Sequence, residues 1–409
     1  MHFVSCTNDL REYLDLAGAK NINFSNISTD TRSISKDALF IAIKGPNFDG
    51  NKFIDQAFDN GAVAVLTSDT QYKNNTNPAC IYVPSVKEAL IQIATRICDE
   101  FKGKKILITG SNGKTTCTFL LSHSLPNCSS TIGNFNNEIG LPLSVMQAKR
   151  DSEYLVLEAG AGKPGDIAIL SEIVKPHLGL ITSISESHTE FLGDIKGVFK
   201  EKTSMLKFIQ DNGILILNFK KTTELARSID ALRYELDELF WDKCLRYVDI
   251  ISPDQHMLFP NEESYESELG RESFAGDVAL FDGLHFMMGY LNYSDDLSMM
   301  EFLYSYNEKE IYARPPNELF SSGNFSRAKK EVFSSLLVGY HNMQNIILVA
   351  RCLRHLAFYE NKVDGPPYKE FNHHVNKLES FLVSDQIKSF NRSQHSKWLN
   401  GSHLINDSY

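Results

Sequence analysis

The sequence predicts an α/β fold with mostly parallel sheets, and three observations support this prediction. Between residues 27 and 66, short apolar runs alternate with a helical segment, which describes a small α/β unit. Further along, an apolar strand at 106–108 leads through a glycine-containing turn into a helical segment at 117–125. Two more apolar strands, at 154–157 and 178–184, each lead to a residue that can bind metal or phosphate. Because ligands of parallel sheets bind outside the carboxyl ends of the strands, these residues should face one crevice.

Length and charge narrow the class of protein. The chain has 409 residues and a formal net charge of −10, from 41 basic and 51 acidic side chains. This length exceeds a core of usual size, so two or three domains are expected, and the acidic balance disfavours nucleic acid as a partner. The sequence shows neither a run of about eighteen apolar residues nor a basic-then-apolar leader, so we expect a soluble cytoplasmic protein. The seven scattered cysteines indicate reduced packing residues, not a disulfide frame or a zinc site.

The pattern of elements predicts three segments. Residues 1–84 form the small N-terminal α/β domain, and a helix at 86–100 then leads to the glycine-containing turn. Residues 85–362 form the central domain, and residues 363–409 form a linker and the start of a further domain. Within the central domain, residues 219–330 have the weakest pattern, and we interpret their aromatic and methionine residues as core.

The glycine-containing turn is typical of a phosphate-binding loop. In such a turn, backbone N–H groups and the positive end of the helix converge where a phosphate chain can bind. Lys114 would neutralise the β- and γ-phosphates, and the Thr115 hydroxyl would hold Mg²⁺. A plain turn between strand and helix is the alternative, but such a turn does not need Gly-Lys-Thr-Thr at the start of the helix. The loop residues are Gly110, Ser111, Asn112, Gly113, Lys114, Thr115 and Thr116.

Lys202 interrupts the apolar face of a predicted helix. Val198, Met205, Leu206 and Ile209 recur with helical spacing on the same face, while the neighbouring lysines fall on the opposite face. A bare ammonium among apolar side chains is unfavourable unless it is paired or chemically changed. The alternative is that the side chain extends along the surface and places its charge in water.

Two further polar clusters allow two interpretations each. The first lies in turns of the N-terminal segment and could face a phosphate or a sugar, or could serve only as turn residues. The second lies at the start of a predicted helix ending near residue 356, where polar side chains could cap the helix or contact a base. The first cluster consists of Ser28, Thr29, Asp30 and Arg32, and the second of His341, Asn342 and Asn345.

These motifs together resemble the Mur ligase family. The T-G-x-x-G-K-T-T form of the loop is carried by this family and by the folylpolyglutamate synthetases. Residues 131–142 (TIGNFNNEIGLP) are similar to the family segment T-x-G-N-x-N-N-x-x-G-x-P, and residues 157–161 (LEAGA) to L-E-x-G-A. Residues 187–193 (SHTEFLG) resemble its metal-binding histidine segment, and residues 339–345 (GYHNMQN) resemble G-x-H-N-x-x-N. Ser183 departs from the family, which usually has Asn there.

The resemblance implies an ATP-dependent amide ligase of peptidoglycan precursor synthesis, with a UDP-substrate domain and a central P-loop ATPase domain. The member most similar in its motifs joins D-alanyl-D-alanine to UDP-N-acetylmuramoyl-tripeptide through an acyl phosphate. The implied catalytic residues are Lys114, Glu158, His188 and Lys202. The implied Mg²⁺ ligands are Thr115, Glu158, His188 and Lys202, the last as a CO₂-derived carbamate. The implied ATP-binding residues are the seven of the loop with His341, Asn342, Asn345, Arg392 and Asp407. The implied substrate-binding residues are Ser28, Thr29, Asp30, Arg32, Asn134, Asn136 and Asn137.

The end of the sequence resembles the start of the family's C-terminal Rossmann-like domain. The sequence stops at Tyr409 inside that motif, so we expect this third domain to be missing, and a separate polypeptide could supply it. Two alternative functions follow. The chain could be a remnant that binds ATP and a UDP-muramoyl peptide without ligating them. It could also be a sister ligase of the folylpolyglutamate type, which the segment 134–137 disfavours.

Overall fold

The computed structural model describes most of the chain as far as residue 218 and selected strands and helices beyond it. The described residues are 2–18, 20–74, 77–185, 189–210, 213–218, 248–251, 277–282, 285–290, 292–293, 300–306, 329–335, 342, 345–346, 348–350, 352–353, 355–356, 368–387 and 389–390. The chain divides into two compact units. The first consists of Met1–Leu107, Asn127–Gly160 and Ala168–Pro176, and the second of Ile108–Pro126, Ala161–Ile167 and His177–Tyr409.

A four-stranded parallel sheet opens the first unit. In spatial order its strands are β1 (Asn26–Ser28), β2 (Ala38–Ile41), β3 (Ala62–Thr67) and β4 (Cys80–Tyr82). Parallel strands are buried on both faces, which explains why β2 and β3 consist almost entirely of buried apolar residues. Helix α2 (Ile54–Asp59) packs on this sheet through Ile54 and Ala57, which join Phe40 and Val65 in a buried cluster.

Three more helices and part of a second parallel sheet complete the first unit. The helices are α1 (Thr7–Leu14), α3 (Val86–Glu100) and α5 (Gly140–Met146). Helix α3 begins at Ser85, whose Oγ accepts a hydrogen bond from the Glu88 N–H, and its apolar face is buried. The sheet strands are β5 (Lys104–Thr109), β6 (Cys128–Ser130) and β7 (Tyr154–Glu158), with the order β5-β7-β6. Strand β5 begins in this unit and ends in the second one.

In the second unit, parallel strands follow one another in the order β10-β9-β8-β5, where β8 is Leu178–Ile181, β9 is Ile214–Asn218 and β10 is Val248–Ile251. The helices are α4 (Lys114–Ser124), α6 (Asp166–Val174, which ends in the first unit), α7 (Thr189–Leu192), α8 (Ile195–Thr203) and α9 (Tyr368–Leu382). Antiparallel strands β11 (Asp277–Asp282) and β12 (His285–Tyr290) form a hairpin. A separate antiparallel sheet contains β13 (Asn292–Tyr293), β14 (Met300–Tyr306) and β15 (Lys329–Ser335).

The predicted α/β class with parallel sheets is confirmed, whereas two helix boundaries differ from the prediction. Helix α4 begins at Lys114, three residues earlier than its apolar pattern starts, because Gly113 provides the left-handed residue before it. Helix α8 ends at Thr203 and continues as a 3₁₀ turn over Ser204–Phe208. Met205 and Leu206 are nevertheless buried, as the apolar pattern predicts. Within the described part of the chain, we find no helix with the length and apolarity needed to cross a bilayer.

Candidate nucleotide-binding site

The loop between β5 and α4 needs glycine at two positions. Gly110 has φ +149° and Gly113 has φ +87°, and both values fall where L side chains are strained. A Cβ at Gly110 would also lie 1.9 Å from the Thr182 Oγ1. The loop therefore brings its backbone N–H groups to the N-terminus of the eleven-residue helix α4. Lys114 folds over the loop, since its Nζ donates to the Gly110 carbonyl oxygen at 2.7 Å.

The segment after β8 holds this loop from the side. The buried Thr182 hydroxyl donates to the carbonyl oxygens of Thr109, at 3.2 Å, and Asn112. The Ser111 N–H donates to the Ser183 carbonyl oxygen at 2.9 Å, and the Asn112 N–H donates to the Ser183 Oγ at 2.8 Å. Ser183, where the family usually has Asn, is thus a direct support of the loop. The segment after β8 therefore fixes both inner residues of the loop, Ser111 and Asn112.

We expect Thr182→Val to weaken both the fold and nucleotide binding. The substitution keeps the shape but removes this donor. The Thr109 carbonyl oxygen keeps the Thr182 N–H at 2.9 Å and the Asn112 carbonyl oxygen keeps the Ser183 hydroxyl at 3.1 Å, so the free energy of unfolding should fall by about 0.5 to 1.5 kcal/mol. Urea unfolding and ATP titration measure the two effects. Thr95→Val is the matched control, because the Thr95 hydroxyl also donates to a carbonyl, that of Ile91 at 2.8 Å, in helix α3. Equal losses of ATP affinity in both variants would contradict the assigned role.

Asn345 lies directly against the loop. A Cβ on Gly113 would stand 2.4 Å from the Asn345 Oδ1, and only 6% of Asn345 is exposed. The Cys117 Sγ of helix α4 contacts the Asn345 carbonyl oxygen at 3.8 Å. Asn345 therefore supports the loop from behind. Contact of Asn345 or the half-buried Asn342 with a base stays a prediction.

Lys202 is one of the largest fully buried side chains, with 1% of the residue exposed. The interpretation in which its charge reaches water is therefore wrong. Burial, together with a smaller effect of the positive charge of Lys114, lowers the pKa of the amine to about 7, and Glu201 opposes both effects. An amine with this pKa is about half neutral at pH 7. The positive charge beside the loop is therefore mainly that of Lys114, whose position over the loop suits a phosphate chain.

Glu158 and the predicted substrate-binding asparagines lie in the first unit. Glu158 ends β7, is buried, and donates its backbone N–H to the Thr131 Oγ1 at 2.7 Å. Asn137 is exposed, and its Oδ1 accepts the N–H of Gly140, the first residue of helix α5, at 2.8 Å. Asn136 packs against Gly160 and accepts that residue's N–H at its carbonyl oxygen, and Asn134 is exposed.

In the polar turn of the N-terminal segment, several side chains bond to other residues of the same turn. The Ser28 Oγ accepts from the Asp30 N–H at 3.2 Å, and Arg32 pairs with the Asp30 carboxylate at 2.6 Å. Hydrogen bonds from Arg32 lower the pKa of Asp30 to about 2. The Arg32 side chain is 84% exposed, so its guanidinium can also meet a ligand. Thr29 is half-buried beside them.

A pocket in the first unit brings together residues that sequence analysis missed. It has a volume of about 200 Å³ and lies where β2, β3 and β4 end, the edge at which parallel sheets bind ligands. Lys87 at its rim pairs with Glu138 at 2.6 Å. The edge rule applied to β2 to β4 would have indicated these positions, although nothing in their local sequence does. The polar lining residues are Lys44, Ser68, Ser85 and Lys87.

Whether Mg²⁺ could bind at this site depends on which oxygen donors the predicted ligands provide. In the regions that the structure describes, no group of three His, Cys, Asp or Glu side chains could hold a metal ion by itself. Thr115 is exposed at the start of α4, and the neutral amine of Lys202 fits conversion to a carbamate, which would add a carboxylate-like oxygen donor. Four predicted site residues lie outside the described residues: His188, His341, Arg392 and Asp407.

Two family profiles match the sequence. The profile described as Mur ligase family, catalytic domain, matches residues 23–98, and the profile described as Mur ligase middle domain matches residues 108–240. The chain belongs to the Mur ligase family. This Mur ligase is 37% identical over 217 residues to the UDP-N-acetylmuramoyl-tripeptide--D-alanyl-D-alanine ligase of Buchnera aphidicola subsp. Baizongia pistaciae, covering 52% of this chain and 47% of that protein. It is 38% identical over 193 residues to the Bacillus subtilis enzyme of the same name, covering 46% of this chain and 42% of that protein.

Solved structures show the same fold. A crystal structure of MurF from Acinetobacter baumannii superimposes with a TM-score of 0.60 at 19% identity, covering 91% of this chain and 66% of that one. MurF from Thermotoga maritima, solved in complex with ADP, gives a TM-score of 0.54 at 22% identity, covering 83% of this chain and 64% of that one. The Mur ligase described here spans about half the length of the curated relatives it matches.

Proposed function

We propose that this Mur ligase takes part in the ATP-dependent joining of D-alanyl-D-alanine to UDP-N-acetylmuramoyl-tripeptide, in the cytoplasm. The observation that carries the proposal is the glycine loop at the start of α4, with Lys114 folded over it and the buried amine of Lys202 close enough to Lys114 to feel its charge. The names of the curated relatives support the choice of substrates. A sister ligase of the folylpolyglutamate type has no comparable support.

In the proposed reaction, the tripeptide carboxylate attacks the γ-phosphorus of ATP and ADP leaves. The amine of D-alanyl-D-alanine then attacks the acyl phosphate, the amide bond forms, and inorganic phosphate leaves. Lys114 and the N–H groups at the start of α4 would bind the phosphates and stabilise the charge that is transferred. Bound Mg²⁺ would neutralise phosphate charge, with Thr115, Glu158, His188 and Lys202 as its proposed ligands.

For Lys202 to serve as a metal ligand, its amine must first react with CO₂. The neutral nitrogen would attack the carbon of CO₂, forming an N–C bond while the π pair of one C=O bond moves to its oxygen. An N–H proton would then go to water, leaving a carbamate. A pKa of about 7 supports this step, because an amine that keeps its usual pKa of 10.5 is almost wholly protonated at neutral pH. The carbamate would carry a negative charge next to Lys114 and so relieve the repulsion between the two amines.

On the substrate side, we propose that the UDP part binds in the first unit. The 200 Å³ pocket offers Lys44, Ser68 and Lys87 at the carboxyl edge of the N-terminal sheet. The exposed Arg32 and Asn134 are proposed as further contacts. Arg32, Lys44 and Ser68 fall in the proposed substrate domain (1–84), whereas Lys87 and Asn134 fall in the proposed central ATP-binding domain (85–362). Residues 363–409 are proposed as the start of a third domain.

Phosphate release measured on the 409-residue chain tests the proposal. We expect release from ATP that requires both UDP-N-acetylmuramoyl-tripeptide and D-alanyl-D-alanine, with the amide product identified by mass spectrometry. Binding of ATP and of the UDP-muramoyl peptide without phosphate release would instead favour the remnant that binds but does not ligate. Replacing D-alanyl-D-alanine by glutamate is the control, since the sister reaction would use it.

A further inference from the structure

Glu201 is a buried carboxylate next to Lys202 that the proposed reaction does not use. Only 7% of the residue is exposed. Its Oε2 accepts the Gly165 N–H at 2.7 Å, and its Oε1 accepts the Ile167 N–H at 2.8 Å. Because each oxygen has a backbone partner and the bonds are charge-assisted, the carboxylate is fixed in position and orientation.

The two donors lie at the start of α6: Gly165 directly precedes the helix, and Ile167 is in its first turn. The N–H groups at the start of a helix have no partner within the helix, and the positive helix end favours a carboxylate. Asp166 provides a local carboxylate in the same turn, since its Oδ2 accepts the N–H groups of Gly162 and Lys163 at 2.9 Å each. Glu201 differs from Asp166 because it comes from another helix. It therefore ties α8 to this turn.

Helix α8 is secured differently at its two ends. At its start, Asp194 accepts the N–H groups of Lys196 and Gly197, a local cap that leaves the rotation of the helix free. Near its end, only one residue before Lys202, the Glu201 carboxylate bonds to a distant segment. Adjacent residues of a helix are fixed about 100° apart around its axis, so any rotation that moves Glu201 also moves Lys202.

We propose that Glu201 is a positioning residue that holds the Lys202 amine in its buried place beside the nucleotide loop. The proposal rests on the proposed function in one respect, namely that Lys202 belongs to the ATP site. It assigns no contact with ATP or substrate to Glu201. A purely structural cap would stabilise α6 and α8 without any specific effect on the place of Lys202.

Trace acetylation with acetic anhydride, read residue by residue by mass spectrometry, tests the proposal without nucleotide or turnover. In CO₂-free buffer at pH 9, an amine with a pKa of about 7 is neutral and carries no carbamate, so labelling of Lys202 reports access to the amine. The variants are Glu201→Ala, Glu201→Gln and the control Asp166→Asn, which alters the same turn but not its tie to α8. Within each protein, the exposed Lys196 calibrates the reagent. Lys105, which is 2% exposed in the first unit, reports general loosening.

We expect Glu201→Ala to raise the labelling rate of Lys202 by at least about tenfold, since even one charge-assisted hydrogen bond contributes that much and the variant loses two. Glu201→Gln should give an intermediate rise, because its single amide oxygen can still accept one N–H. The labelling rate of Lys202 in Asp166→Asn should stay near the wild-type value, and so should the labelling rate of Lys105 in each variant. An unchanged Lys202 rate in Glu201→Ala, with a lowered melting temperature, overturns the proposal, as does a parallel rise at Lys105. If Glu201→Ala does not fold, a wild-type Lys202 rate in Glu201→Gln overturns it equally.

The same proteins separate this inference from the proposed function. If wild type labels as expected but releases no phosphate with its substrates, the positioning role stands and the ligase proposal fails. If wild type is active, Glu201→Ala should lower kcat for phosphate release more than it raises KM for ATP, since the loop that binds ATP is intact. A change in KM alone would contradict the positioning role.

Discussion

Replacing Lys114 with alanine is expected to reduce phosphate release from ATP by about 100-fold to 1,000-fold, the range seen when one donor that stabilises developing charge is removed. The ammonium of Lys114 lies over the glycine loop through its 2.7 Å bond to the Gly110 carbonyl oxygen. Loss of this one hydrogen bond should change the free energy of unfolding by less than about 1.5 kcal/mol. Activity should therefore fall far more than stability.

Phosphate release and urea unfolding of Lys114→Ala measure these two effects, and Lys196→Ala is the control. Lys196 is an exposed lysine of α8, so its removal changes the net charge equally without touching the loop. Lys114→Ala should also raise the pKa of Lys202 above about 7, because the Lys114 charge helps to lower it. A folded Lys114→Ala protein that turns over normally would remove the loop from the proposed site.

Lys202→Met is expected to stabilise the protein while abolishing its proposed activity. A methionine of similar length avoids the burial of an amine, and such replacements commonly raise the free energy of unfolding by about 1 to 3 kcal/mol. The gain should depend on pH in CO₂-free buffer. Between pH 7 and 10.5 the unfolded wild-type chain binds more protons at Lys202 than the folded one, so wild-type stability rises with pH. The advantage of Lys202→Met is therefore largest below about pH 7 and fades towards pH 10.5.

Urea unfolding at several pH values measures the expected gain in stability of Lys202→Met, and phosphate release measures the expected loss of activity. Lys105→Met is the matched control, because Lys105 is also buried and its Nζ donates to the Cys98 carbonyl oxygen at 2.6 Å, yet it lies outside the proposed site. Lys202→Ala should regain part of its activity with short carboxylic acids, which would replace the carbamate. Absence of rescue in a folded Lys202→Ala protein would argue against the carbamate, and full activity in Lys202→Met would exclude Lys202 from the site.

Local periodicity allowed the fold class to be predicted, and it placed Lys202 on the apolar face of its helix without deciding whether its charge is buried or reaches water. Lys202 falls on the same helical face as Val198 and Met205, and the structure buries all three. The end of α8 could not be predicted in this way, because the switch to a 3₁₀ turn at Ser204 leaves the apolar spacing almost unchanged. The bonds of Glu201 to the turn at Gly165 were also inaccessible, since 36 residues separate the partners.

The loop illustrates the same division between local and distant information. Its glycines and Lys114 are readable as a motif because the turn itself requires them. The support that Ser183 gives to the loop could not be predicted from the sequence. A serine in place of the family's asparagine carries no local sign of a bond to Asn112. Lys44, Ser68 and Lys87 meet at one pocket only because three strands of a parallel sheet end together. Contacts between residues of different strands depend on the order of the strands in the sheet, which periodicity does not specify.

The contact of Asn345 with the loop has a consequence for synthesis on the ribosome. Cys117 and Asn345, which touch behind the loop, are 228 residues apart in the chain. At typical translation speeds of about 5 to 20 residues per second, the ribosome needs roughly 10 to 50 seconds to pass from one to the other. During that interval the nascent polypeptide already contains the whole glycine motif but lacks Asn345, the residue that packs against Gly113. Nucleotide affinity should therefore be acquired late in translation, after the helix that contains Asn345 has emerged.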